Sequence, residues 1–313
     1  MLKEAQQFGR LLTAMVTPFE DNGELSVDRT RNLARHLADT GTESIVVSGT
    51  TGESPTLTEH ERMLLLTTVL KEVGHRCKVV AGTSTYNTAE SIELSKLAQQ
   101  EGAHGLLLVT PYYNKPSQAG LRAHFSAIAT AVDLPSILYN VPSRTNVNML
   151  PDTVLALDRE FDHIVGLKEA VGTNTESGRA QALAVLEGRS PGFAVWSGND
   201  QDTFFFLENG GNGIVSVASH ICGKFIKEMM DAHALGDRVR AEELNNRMMP
   251  YFEALFPPQS PEPSPSAIKV SCNDNGLPVG GLRLPVLALP ESYRGQLQAI
   301  VTDCGLVGPG GTM

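Results

Sequence analysis

Eight short apolar runs recur along the chain, each followed by a turn and a longer amphipathic stretch. They are LLTAMVTP (11–18), SIVVSGTTG (44–52), KVVAGTS (78–84), GLLLVTPYY (105–113), PSILYNVP (135–142), IVGLKEA (164–170), FAVWSGND (193–200) and GIVSVASH (213–220). The runs do not alternate apolar with polar, so they predict parallel strands buried on both faces. Between them the apolar residues follow the helical period. In 27–41, Leu33, His36 and Leu37 share one face and Gly41 ends the pattern. In 88–102, Thr88 reads as the cap, Ile92, Leu94, Leu97 and Ala98 as the apolar set, and Gly102 as the stop.

Eight strand–helix units of roughly 30 residues fit a closed α/β barrel, the (β/α)8 or TIM fold, better than an open sheet wound on both sides. After Gly223 the strand pattern stops. The reading is therefore a barrel over residues 1–223 and a C-terminal helical appendage over 224–313, broken by the Pro-rich stretch 256–269. The tail GLVGPGGTM has the composition of a disordered end.

At 313 residues and 41% hydrophobic the chain can bury a large core, and at a net charge of −10 it has no basic stripe for nucleic acid. The start MLKEAQQFGR has no apolar signal core, and no apolar run nears the roughly 20 residues that span a bilayer. Cys77, Cys222, Cys272 and Cys304 form no C-x-x-C pair and read as free thiols of a reducing cytosol. The eight histidines show no metal-binding spacing. The glycine-rich string 208–213 matches no nucleotide-binding loop and reads as a tight turn into the eighth strand.

Polar groups gather where the runs end, the face on which barrels of this type carry their active sites. The second run ends in Gly49-Thr50-Thr51-Gly52-Glu53, the fourth in Pro111-Tyr112-Tyr113-Asn114 and the fifth in Tyr139-Asn140-Val141-Pro142-Ser143-Arg144. The sixth carries Lys168-Glu169 and the seventh ends in Ser197-Gly198-Asn199-Asp200. Lys168 follows Ile164-Val165-Gly166-Leu167, so its stem lies in or beside an apolar interior. An amine in such surroundings is more easily neutral, and a neutral amine attacks carbonyls to form Schiff bases. The competing reading pairs Lys168 with a carboxylate such as Glu169. Thr51, Tyr113 and Tyr139 offer hydroxyls for proton transfer, or are merely packed residues with satisfied hydroxyls. Gly49–Gly52 is either a plain turn or a cradle of N–H and O–H groups for a carboxylate. Arg144 is either a second carboxylate ligand or a surface arginine.

Gly49-Thr50-Thr51-Gly52-Glu53-Ser54, Val109-Thr110-Pro111-Tyr112-Tyr113, Leu138-Tyr139-Asn140-Val141-Pro142-Ser143-Arg144-Thr145 and Gly166-Leu167-Lys168-Glu169-Ala170 resemble the motifs of the dihydrodipicolinate synthase family, from about Gly9 to about Gly305. The wider group, which includes N-acetylneuraminate lyase and 2-keto-3-deoxy-sugar-acid aldolases, shares the lysine, the tyrosine and the glycine–threonine turn. The arginine after Y-N-V-P-S resembles the synthases specifically. The resemblance implies that Lys168 condenses with pyruvate and that Thr50 and Thr51 hold its carboxylate. Thr51, Tyr139 and Tyr113 would form the proton relay, and Arg144 would grip L-aspartate 4-semialdehyde. The carbonyl of Val215 would lie near the lysine. No cofactor, metal, nucleic acid or membrane is implied. Tyr113 would act in a neighbouring subunit of a homotetramer built as a dimer of dimers, in the cytoplasm. Ser197-Gly198-Asn199-Asp200 departs from the two acids common after this glycine, and the Pro-rich loop at 257–266 is longer than in relatives. A sister aldolase taking another aldehyde, or a silent keto-acid-binding homologue, remain alternatives. Arg144 argues against the first, and retention of the lysine, tyrosines and threonines against the second.

Overall fold

A computed structural model describes residues 7–256 and 262–307. The end of the tail and the centre of the Pro-rich stretch, for which disorder and unusual length were expected, lie outside these residues. Eight strands close into a parallel barrel in chain order: β1 (Leu11–Ala14), β2 (Ser44–Val47), β3 (Lys78–Gly82), β4 (Gly105–Val109), β5 (Ser136–Asn140), β6 (Ile164–Glu169), β7 (Ala194–Ser197) and β8 (Gly213–Ser216). Each expected run contains one strand. The strands are shorter than the runs because the polar groups at their ends, such as Tyr112 and Tyr113, belong to the following loops.

By density of packing the chain divides into two compact units. The first holds residues 7–12 and 78–215, with β3 to β7, nearly all of β8, and the helices α3 (Thr88–Gln100), α4 (Gln118–Ala131), α5 (Pro142–Thr145), α6 (Pro151–Glu160), α7 (Glu176–Gly188) and α8 (Thr203–Glu208). The N-cap of α3 is Asn87, not Thr88: the Asn87 side chain accepts from the N–H groups of Ala89 and Glu90. Asparagine and threonine both cap well, and here the backbone turns helical one residue earlier than the pattern suggested. Beyond a register shift between Ser136 and Ile137, the pairing of β5 to β7 sets Tyr139 beside Lys168 and Lys168 beside Trp196. Gly166 permits that register, because a Cβ there would lie 2.5 Å from the Ala194 carbonyl oxygen and 2.6 Å from the Trp196 ring. Trp196 is fully buried and donates its indole N–H to the Gly9 carbonyl at 3.0 Å. The glycine-rich string is a turn: Asn212 exchanges hydrogen bonds with Val195, and at Gly213 a Cβ would collide with Arg10.

The second unit holds residues 13–77 and 216–307, with β2, α1 (Val27–Asp39), α2 (Glu59–Val73), α9 (Ser219–Ala234), α10 (Arg238–Leu255), α11 (Ser266–Asp274) and α12 (Glu291–Asp303). Leu33 and Leu37 of α1 are buried, while His36 is only partly so. In α2 a capping box joins Thr58 and Glu61. α10 packs on α9, and α11 and α12 pack against each other. The four thiols are free, and Cys77, Cys222 and Cys272 are buried.

The close approach at Gly166 gives a direct test. Gly166→Ala must displace the Ala194 backbone or the buried Trp196 ring, and overpacking of this kind costs about 1–3 kcal/mol. Urea denaturation of the purified variant should show a lower midpoint with an unchanged slope. An unchanged midpoint would mean that the strands tolerate a wider spacing.

Candidate active site

β6 reads Ile-Val-Gly-Leu-Lys-Glu and every one of its residues is buried. Successive side chains on a strand point to opposite faces. Lys168 and Glu169 therefore part company. Glu169 turns to the helical layer, where Gln181 of α7 donates to it at 3.2 Å. Asn140 Nδ2 and the Val171 N–H each lie 2.9 Å from Glu169 Oε1. Lys168 turns the other way, into the barrel interior. It is 4% exposed, and its Nζ lies 4.3 Å from the centre of the Tyr139 ring on the adjacent strand. Among the described residues no carboxylate pairs with it, so the reading that joined Lys168 to Glu169 is not what the fold does.

Glu169 belongs to a buried polar network that the sequence reading missed. Asn148 exchanges hydrogen bonds with Gln181 and accepts one from Asn140 Nδ2, and Asn140 Oδ1 accepts from the Met149 N–H at 2.9 Å. This network ties the segment after Arg144 back to β5 and β6. Burial pushes the Glu169 carboxyl up to about 7, against the pull of hydrogen bonds from Gln181, Asn140 and the backbone.

Tyr139 is buried and Arg144 is exposed on α5, four positions beyond Asn140. Thr145 anchors that short helix. It is buried, and its Oγ1 lies 3.1 Å from that of Thr110 at the end of β4. Tyr113 is different in kind. It is 90% exposed and adopts φ +72°, a left-handed conformation that a bulky side chain takes at a cost. Around it the loop is held: the Tyr112 and Tyr86 rings meet edge to face at 5.3 Å, and Asn114 donates to the Tyr86 carbonyl at 3.0 Å. Val215 lies fully buried on β8.

Thr50 and Thr51 sit in the second unit, in the turn after β2. The N–H groups of Gly52, Glu53 and Ser54 are spent inside the turn, on the carbonyls of Gly49 and Thr50. Those of Thr50 and Thr51 have no acceptor among the described residues. Gly52 is held where a Cβ would press on Met15 and Ser48, and its carbonyl accepts from Thr17 Oγ1 at 2.6 Å. Two adjacent unspent N–H groups, with hydroxyls beside them, suit an anionic oxygen pair.

A family model, that of the dihydrodipicolinate synthetase family, matches residues 7–304. The chain belongs to this family. It is 47% identical over 300 residues to a 4-hydroxy-tetrahydrodipicolinate synthase from Symbiobacterium thermophilum, a match covering 96% of this chain and 99% of the relative. A second synthase, from Heliobacterium modesticaldum, is 45% identical over 96% of this chain and 97% of its own length. Among solved structures, a dihydrodipicolinate synthase from Cyanidioschyzon merolae, crystallised with lysine bound, superposes with a TM-score of 0.91 at 42% identity, covering 96% of this chain and 99% of that one.

The raised Glu169 carboxyl sets a pH dependence. In the unfolded chain this group ionises near 4.5, in the folded chain near 7. Its contribution to stability is complete below pH 4.5 and is lost as pH rises through 7. Glu169→Gln removes that loss. Relative to the parent protein, the variant should gain on the order of 3 kcal/mol between pH 4.5 and pH 7, read from denaturation midpoints. A stability difference independent of pH would show that Glu169 titrates as an ordinary carboxylate.

Proposed function

We propose that the chain condenses pyruvate with L-aspartate 4-semialdehyde to give 4-hydroxy-tetrahydrodipicolinate, a step of diaminopimelate and lysine biosynthesis. The observation that carries this reading is Lys168: a buried amine on β6, with no carboxylate partner among the described residues and against the ring of Tyr139, in a chain of the matching family. The Lys168 amine attacks the C2 carbonyl of pyruvate, water leaves, and a Schiff base forms. Loss of a C3 proton gives the enamine, which adds to the aldehyde. The amino group of the joined chain then attacks the imine carbon, closing the ring and releasing Lys168.

Thr50 and Thr51 hold the pyruvate carboxylate through the N–H groups left unspent by their turn. Tyr139, beside the lysine, moves protons to and from the reacting oxygens, with Thr51 and Tyr113 as the rest of the relay. The carbonyl of Val215 faces the Schiff-base site. Arg144 grips the carboxylate of the aldehyde with a guanidinium fork, and its exposure leaves the fork open to an incoming substrate. The near-complete exposure and left-handed backbone of Tyr113 support a role in a neighbouring subunit. The working form is then a homotetramer, a dimer of dimers, working in the cytoplasm. Among the described residues no helix is long and apolar enough to cross a membrane.

The substrate assignment is tested by supplying pyruvate with a panel of aldehydes and detecting the cyclised product. The expected result is turnover with L-aspartate 4-semialdehyde far above that with sugar aldehydes or amino sugars. Arg144→Ala should weaken the aldehyde by tenfold or more, since a charge-assisted contact is worth about 1.5–3 kcal/mol, and leave pyruvate saturation nearly unchanged. Preference for another aldehyde, or equal losses for both substrates, would overturn the assignment to Arg144.

The shared site is tested by mixing. Tyr113→Phe and Lys168→Ala chains, each impaired alone, should recover activity after subunit exchange, because some composite sites then hold one intact copy of each residue. Verified exchange without recovery would place Tyr113 outside the reaction.

A further inference from the structure

Beside the Thr50–Thr51 turn lies a buried ion pair that the mechanism above does not use. Glu53, the residue closing the turn, has φ +54°, a left-handed backbone that turns its side chain inward, and it is 3% exposed. Its Oε1 is 2.6 Å from Nζ of Lys269 on α11, with both side chains 2% exposed. Its Oε2 accepts from the Arg283 N–H at 2.9 Å. Lys269 in turn donates to the Gly281 carbonyl at 2.6 Å and lies 4.2 Å from the centre of the Phe19 ring. The Arg283 side chain takes a second hold on the same segment, donating to the Thr56 carbonyl at 2.9 Å, to Glu61 and to the Gly23 carbonyl. All of these residues belong to the second unit.

We propose that Glu53 and Lys269 form a positioning pair that fixes the Thr50–Thr51 turn as a cradle for the pyruvate carboxylate. The proposal rests on the reading of that turn as the pyruvate site. Three features support it. The turn has spent the N–H groups of Gly52, Glu53 and Ser54 on itself, so the direction of the two remaining donors depends on how the turn is held. A non-glycine residue at φ +54° stays there only if its surroundings enforce it, and the carboxylate of Glu53 is the group they grip. Finally, a lone buried carboxylate next to an anion cradle would repel the substrate. Lys269 cancels that charge without occupying the cradle, because its remaining contacts are to Gly281 and Phe19. Burial pushes Lys269 down to about 8 and Glu53 opposes the push, as expected of a pair held together away from water. Stability alone does not call for this arrangement, since apolar residues of similar volume replace buried ion pairs at little cost.

That last point supplies the test. Removing one partner strands a buried charge and threatens the fold, whereas removing both need not. The double variant Glu53→Gln, Lys269→Met is therefore compared with the parent protein by borohydride trapping of pyruvate on Lys168 over a range of pyruvate concentrations, alongside thermal melts. The proposal expects a double variant that melts close to the parent but needs about tenfold more pyruvate for half-maximal trapping. A folded double variant with parental half-saturation would overturn the positioning role while leaving the pyruvate site intact. Failure of the parent protein to trap pyruvate at Lys168 would overturn the site itself, and the proposal with it. If the double variant does not fold, Glu53→Asp decides the matter. It keeps the charge but withdraws the carboxylate by one methylene, so the same weakening is expected, and parental half-saturation would overturn the role.

Discussion

Strand alternation on β6 sends two neighbouring charged side chains to opposite faces, and the chemistry of the barrel depends on that split. Had Lys168 and Glu169 met, the lysine would be the cationic half of a salt bridge and a poor nucleophile. Instead Glu169 is taken up by Asn140, Gln181 and the Val171 N–H on the helical side. Lys168 is left inside the barrel against an aromatic ring. A strand gives this separation only while its register holds. Gly166 and Trp196 fix the register two positions away, through contacts too close for any side chain larger than hydrogen at 166.

The buried polar groups are arranged in the same spirit. A buried charge or amide is tolerable when every atom finds a partner, and such a network then permits one geometry. Glu169 with Asn140, Asn148 and Gln181 secures the chain on either side of Arg144. Glu53 with Lys269 and Arg283 secures the turn that carries Thr50 and Thr51. In both cases the residues proposed to touch substrate keep free groups, and the residues behind them spend theirs on holding the backbone. Tyr113 is the exception. Its side chain is 90% exposed on a backbone held at φ +72°.

The eight strands and the helices between them were legible in the sequence because both depend on local periodicity. Strands buried on both faces appear as unbroken apolar runs, and the amphipathic stretches show which residues turn inward, as Leu33, Leu37, Leu94 and Ala98 do. Thr50, Thr51, Tyr113, Tyr139, Arg144 and Lys168, proposed to carry the reaction, were singled out from four short motifs at the ends of those runs, and Val215 from the family resemblance alone. What was not legible involves partners far apart in sequence. Nothing in the helical pattern around Lys269 marks it as the partner of Glu53, more than 200 residues earlier. Gln181 looks like any polar residue of an amphipathic helix until α7 folds over Glu169. The misplaced cap at α3 is a smaller failure of another kind: Asn87 and Thr88 are adjacent and both able to cap, and only the backbone angles decide between them.

The central claim is that the amine of Lys168 is the covalent centre of a pyruvate-dependent condensation. The most direct measurement is borohydride reduction in the presence of pyruvate, followed by mass mapping of the digested protein. The account predicts a single reduced pyruvate adduct on the peptide containing Lys168, formed in proportion to the activity lost, and no adduct in Lys168→Ala. An active preparation in which Lys168 stays unmodified, or in which the adduct forms on another lysine, would contradict it.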